Sequence, residues 1–242
     1  MASPDARPAV LWLPGWSMDD RAWARVQAGL PQCRHINVDL AAGSSPHRYV
    51  GAMVRAMRAH PNAVVVGWSL GGMLALRYLS PDTRVRALVL VAATTRFASD
   101  NPRLGWSPRV LARMQRNLTT APLATRQAFL SAMFTEEERT AGHEASFRAA
   151  NEPCTWEADS LKLGLDFLAR MDLQAAPEQL TLPVVWLHGT RDTICPFGGF
   201  VALRERLALY HGHHFSAVDG AGHALPWVAP EAICAAVREV LP

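Results

Sequence analysis

The chain has 242 residues and a formal net charge of +3, and half of its residues are hydrophobic. That supplies one buried core, with or without an insertion, and excludes a disordered composition. So small a net charge gives no basis for binding nucleic acid or a membrane surface.

Lys162 is the only lysine, so the basic side chains are arginines almost throughout. Codon bias explains the global excess; local arginine clusters need a separate reason. The stretch Met1–Trp16 lacks the basic segment of a signal peptide, and its apolar run, Ala9–Leu13, has the length of a strand. No apolar run reaches the roughly 18 residues of a membrane span. Cys33, Cys154, Cys195 and Cys234 lie far apart without a C-x-x-C pair, which fits free thiols in a reducing cytoplasm.

Strand-sized apolar runs alternate with helical patterns along the chain. Strands are expected at Ala9–Leu13, His35–Val38, Ala63–Gly67, Ala87–Val91, Pro183–His188 and His214–Val218. Their continuous apolar character fits parallel strands buried on both faces. Helices are expected near Asp20–Gly29, Pro46–His60, Leu70–Leu79, Gly198–Ala208 and Pro230–Val240. The alternation implies an α/β fold with right-handed crossovers. Between about Thr94 and Gln179 it stops, and only helical periodicity and turn signals remain. So long an interval is not a loop. It reads as a helical cap insertion whose first helix starts at Ser107-Pro108, a good N-cap followed by a residue suited to the first helical position.

Gly67-Trp68-Ser69-Leu70-Gly71 has the form G-x-S-x-G, set between an apolar strand and a helix. In that context the serine sits on a tight, strained turn at the carboxyl end of the strand, and small neighbours let strand and helix approach. Unpaired amides at the helix N-terminus can then hold an oxyanion. A serine hydroxyl needs a base, and the base needs an orienting acid. His223 follows the last strand in the glycine-rich "VDGAGHALPW"; Asp192 follows the strand before it in "VVWLHGTRDTICP". Asp219 is the main rival for the acid. His211, His213 and His214 lack a third ligand at helical spacing, so no metal is expected, nor any cofactor. The amide of Leu70 supplies one oxyanion donor, and Trp16, in the loop after the first strand, the other.

These stretches resemble the α/β-hydrolase superfamily and, more narrowly, the pimeloyl-acyl-carrier-protein methyl ester esterases of biotin synthesis. The resemblance is carried by "PGWSMDDRAW", "VVGWSLGGMLAL", "LVLVAATTRF", "LKLGLDFLARMDL", "LPVVWLHGTRDTICP" and "GAGHALPWVAPE". It implies a mostly parallel six- or seven-stranded sheet flanked by helices, with core 1–95 and 180–242 and a cap at about 96–179 in a single domain. It carries the triad and oxyanion roles onto Ser69, Asp192, His223, Trp16 and Leu70, and sets Phe129 against the acyl chain beside Trp16 and Trp68. The sequence departs from the family at Pro14-Gly15-Trp16, where His-Gly-Trp is usual, and in a shortened Asp39–Ser45.

The cap also carries a basic stripe. Arg109, Arg113 and Arg116 fall on one helix face with Arg126 further on, and no Asp or Glu occurs between Pro102 and Thr135. Val110, Leu111, Met114 and Leu118 are expected on the opposite, inward face. The arginines suit an acidic acyl carrier protein bearing a phosphorylated prosthetic group; a solvated arginine-rich face is the plain alternative. The expected function is hydrolysis of the methyl ester of pimeloyl-acyl carrier protein by a cytoplasmic, monomeric enzyme. A general small-ester carboxylesterase, a catabolic hydrolase and an inactive hydrolase-fold binding module are the alternatives.

Overall fold

The structure, a computed structural model, describes residues 6–40 and 46–242. Residues 41–45 of the shortened Asp39–Ser45 segment lie outside the described residues. Six strands, β1 (Ala9–Leu13), β2 (Arg34–Asn37), β3 (Val64–Trp68), β4 (Ala87–Val91), β5 (Val184–Gly189) and β6 (His213–Val218), form one sheet in the order β2-β1-β3-β4-β5-β6. Every pairing is parallel, so the sheet is the smaller of the two expected sizes and has no antiparallel strand among the described residues. Strands β3, β4 and β5 are buried at every position, because helices cover both faces. The edge strands β2 and β6 are only partly buried.

Helices α1 (Ala24–Ala28), α2 (Pro46–Ala59) and α3 (Leu70–Tyr78) connect the first four strands. Between β4 and β5 come α4 (Pro108–Thr120), α5 (Pro122–Ala132), α6 (Glu136–Thr140), α7 (His143–Asn151) and α8 (Ala158–Arg170). Helix α9 (Phe197–Arg206) joins β5 to β6, and α10 (Leu225–Val228) and α11 (Pro230–Val240) end the chain. Helix α4 starts as its sequence implies: Ser107 Oγ accepts from the Val110 amide at 3.3 Å. Its inward face consists of Leu111, Met114 and Leu118. Val110 does not join them; it is 36% exposed, a position nearer the rim than the helical pattern suggests. Where this helical segment leaves and rejoins the sheet layer, Arg96 and Asp172 form an antiparallel bridge and the Leu173 amide donates to Thr95 O at 2.8 Å.

The strand order reverses direction at β1, whose neighbours β2 and β3 leave it on opposite sides. In open α/β sheets such a switch point leaves a crevice at the carboxyl ends of the strands. The loop after β1 and the turn after β3 therefore meet. Gly71 makes this approach possible: a Cβ there would lie 2.3 Å from Leu13 O and 2.7 Å from Pro14 O. Among the described residues no helix is long and apolar enough to cross a membrane.

Candidate active site

Ser69 stands between β3 and α3 with φ 52° and ψ −115°, a conformation that side chains with a Cβ rarely adopt. Its amide donates to Val91 O at 2.9 Å and its carbonyl accepts from Met73, so the turn is held from both sides. Leu70 opens α3, and its amide is among those for which a helix provides no internal acceptor.

Asp192 lies in the turn after β5 with its side chain shut off from solvent. Its Oδ1 accepts from the amides of Ile194 at 2.8 Å and Cys195 at 2.9 Å. Its Oδ2 lies 2.7 Å from His223 Nδ1. A carboxylate accepts, so Nδ1 carries the proton and a neutral ring keeps its lone pair on Nε2. The rival, Asp219, accepts from Thr190 Oγ1 at 3.1 Å instead.

The His223 loop is anchored by backbone and side chain together. The His223 amide donates to Met133 O at 2.8 Å, and the neighbouring Gly222 amide donates to Glu138 Oε1 at 2.9 Å. Glu138 Oε2 also closes a capping box on α6 by accepting from the Thr135 amide at 2.8 Å. Trp68 contributes from β3: its Nε1 donates to His223 O at 3.0 Å. Its ring packs against Trp23, Phe147 and His223. Trp16 and Phe129, by contrast, meet directly, edge to face at 4.9 Å, and Trp16 Nε1 donates to Leu161 O at 2.8 Å. Trp16, Ser69, Asp192 and His223 are all at most 4% exposed.

The family model described as the alpha/beta hydrolase family matches residues 10–236. The chain belongs to that family. The hydrolase is 32% identical over 232 residues to a pimeloyl-acyl-carrier-protein methyl ester esterase of Xanthomonas campestris pv. campestris strain B100, covering 90% of this chain and 88% of the relative. It is 30% identical to a protein of the same name from Vibrio campbellii over 96% of this chain and 94% of that one. Among solved structures, an esterase from Exiguobacterium antarcticum superposes with a TM-score of 0.81 at 18% identity, covering 96% of this chain and 91% of that one, which speaks for the fold alone.

The expected basic stripe divides in the hydrolase. Arg109, Arg113 and Arg116 are exposed along α4. Arg126 is not a surface residue at all: it is 2% exposed, donates from Nε to Ser17 Oγ at 2.9 Å and pairs through Nη1 with Glu152. The docking expectation for Arg126 is therefore corrected, since its guanidinium is enclosed by these partners. A cavity of about 200 Å³ between α4 and α5 is lined by Trp106, Val110, Arg113, Met114 and Phe129. A larger cleft, about 990 Å³, lies at the far end of α3 from Ser69, between Leu76–Val85 and Arg170–Leu182.

Two buried residues near Asp192 and His223 receive no role from the sequence, where His188-Gly189 superficially resembles an oxyanion motif but ends the wrong strand. His188, the strand residue before Gly189, is fully buried with Nε2 2.7 Å from Cys195 O and 3.3 Å from Asp192 Oδ2. Burial holds its imidazole below the ordinary histidine range, against the opposing pull of Asp192. Glu138 is the other; the spacing Thr135-x-x-Glu138 marks a helix start but gives no hint of Gly222. Cys195, beside them, is a thiol pushed well up by burial and by the Asp192 charge. Among the described residues no three His, Cys, Asp or Glu side chains come together as a metal site.

Proposed function

We propose that this carboxylic ester hydrolase cleaves the methyl ester of a pimeloyl group carried on acyl carrier protein, through Ser69, His223 and Asp192. The observation that carries the substrate is the likeness to esterases of that name across nine-tenths or more of the chain at 30–32% identity. The chemistry is supported by the strained Ser69 turn and by the His223–Asp192 pair, which follow one another along the chain in the order that an α/β-hydrolase triad requires.

In this reading His223 Nε2 takes the Ser69 proton while Ser69 Oγ attacks the ester carbonyl. The Trp16 and Leu70 amides hold the oxyanion. The carbon–oxygen bond to the methoxy group breaks, and methanol leaves with the proton from His223. Water, deprotonated by His223, then attacks the acyl-enzyme; the acid is released and Ser69 regains its proton. The helical segment between β4 and β5 acts as a cap, Phe129 and Trp16 flank the acyl chain, and Arg109, Arg113 and Arg116 receive the acidic carrier.

Complementation of a strain unable to hydrolyse pimeloyl-carrier methyl ester tests this, with Ser69→Ala as control. Growth without biotin from the wild type alone is expected; no growth from a well-expressed wild type would sink the substrate assignment. A carboxylesterase for small free esters is the second reading. The burial of Arg126 favours it, because the basic face then has three arginines instead of four. An inactive binding module is excluded once a fluorophosphonate labels the wild type and not Ser69→Ala.

A further inference from the structure

The loop after β1 makes a tight turn in which the Met18 amide donates to Gly15 O at 3.1 Å. Its third residue, Ser17, has φ 67°, a left-handed backbone that such turns normally assign to glycine or asparagine. Ser17 is buried, and its hydroxyl accepts from Arg126 Nε. Arg126 is buried in turn and neutralised by Glu152. The same Glu152 offers its carbonyl oxygen to Arg21 Nη1 at 3.2 Å. A buried guanidinium is costly unless paired and hydrogen-bonded, and here one of its bonds goes to a single hydroxyl in a strained turn. Phe129, one helical turn beyond Arg126 on α5, presses its ring on Trp16. One helix therefore grips two consecutive residues of the loop, Trp16 through its ring and Ser17 through its hydroxyl.

We propose that Arg126 is a positioning residue for the oxyanion hole: through Ser17 it holds the turn that aims the Trp16 amide. The proposal rests on the reading that this amide binds the oxyanion. Released from Arg126, Ser17 relaxes toward an ordinary backbone conformation, the turn reorients, and the amide leaves its line to the reacting carbonyl. Glycine at position 17 would adopt the left-handed conformation without help, so the arginine performs for serine what the smaller residue does by itself.

The test compares Ser17→Ala, Ser17→Gly, Arg126→Gln and the Ser17→Gly/Arg126→Gln pair on a short p-nitrophenyl ester. Rates are normalised to the sites labelled by a fluorophosphonate. A trifluoromethyl ketone, whose hemiketal oxygen occupies the oxyanion hole, gives a second readout. Ser17→Ala and Arg126→Gln should each lower kcat by about tenfold to a hundredfold, less than the loss of a whole oxyanion donor. KM should stay within about twofold, and the ketone should weaken by the same factor as kcat. Ser17→Gly should keep most of the rate and make kcat nearly indifferent to Arg126→Gln. Unchanged kcat and unchanged ketone affinity in Arg126→Gln, with only a lower Tm, would overturn the proposal and leave Arg126 a structural tie. Labelling of the wild type that persists in Ser69→Ala would instead overturn the serine mechanism beneath it.

Discussion

His223 Nδ1 lies 2.7 Å from Asp192 Oδ2, and the same oxygen is 3.3 Å from His188 Nε2. One carboxylate oxygen thus faces two imidazoles, while the other takes two backbone amides. Replacing Asp192 by Asn keeps the shape but removes the charge and favours the wrong His223 tautomer. Hydrolysis of a p-nitrophenyl ester by Asp192→Asn should fall on the order of 10³- to 10⁴-fold in kcat. A loss of less than tenfold would make Asp192 a structural residue.

Glu138 ties α6 to the His223 loop with its two oxygens. Glu138→Ala strips the Gly222 amide of its partner and opens the capping box. Stability should drop by about 1–3 kcal/mol, and kcat should fall more than KM rises, because the loop carrying His223 loosens. Thermal melting and steady-state kinetics on one preparation check both halves.

His188 makes stability depend on pH. Its folded imidazole is held below the ordinary value by burial, whereas the unfolded chain returns to about 6.5. Below that value the unfolded state binds the extra proton, so the contribution is intact above about pH 6.5 and is lost as pH falls through it. His188→Gln should therefore flatten part of the decline in Tm between about pH 7 and pH 5. The remainder belongs in part to His35 and His213, which burial also lowers. An identical slope in wild type and variant would refute the assignment.

Reversing Arg109, Arg113 and Arg116 to Glu should impair turnover of the carrier-bound methyl ester and spare short p-nitrophenyl esters. The side chains are exposed, so the triple variant should melt within a few degrees of the wild type. Equal loss on both substrates would end the docking proposal.

The central strands are legible in the sequence because burial on both faces leaves an unbroken apolar run, as in Val64–Trp68. The strand ends are less so, at the edge and in the centre alike: β2 and β6 begin one residue before the expected start, where a half-exposed edge tolerates polar residues, and β3 and β5 begin and end one residue after the expected bounds. The order of Ser69, Asp192 and His223, each after a strand, can also be read directly. What cannot be read is pairing across long separations. Arg126 looks like one more cation of a basic helix until Ser17, over a hundred residues earlier, is brought to its Nε. Burial of Glu138 depends in the same way on Gly222, a contact without periodicity or motif.

The bridge between Arg96 and Asp172 closes the base of the helical excursion, so by topology residues 97–171 form a side branch that could be exchanged for another between the same two anchor points. Yet this branch supplies Met133 O and Glu138 to the His223 loop, and Arg126 and Leu161 O to the loop after β1. A transplanted branch would fit the scaffold and still leave the chemistry misassembled unless it brought those four contacts with it. Swapping this segment to change the substrate therefore means rebuilding the brackets that hold the His223 loop and the turn after β1.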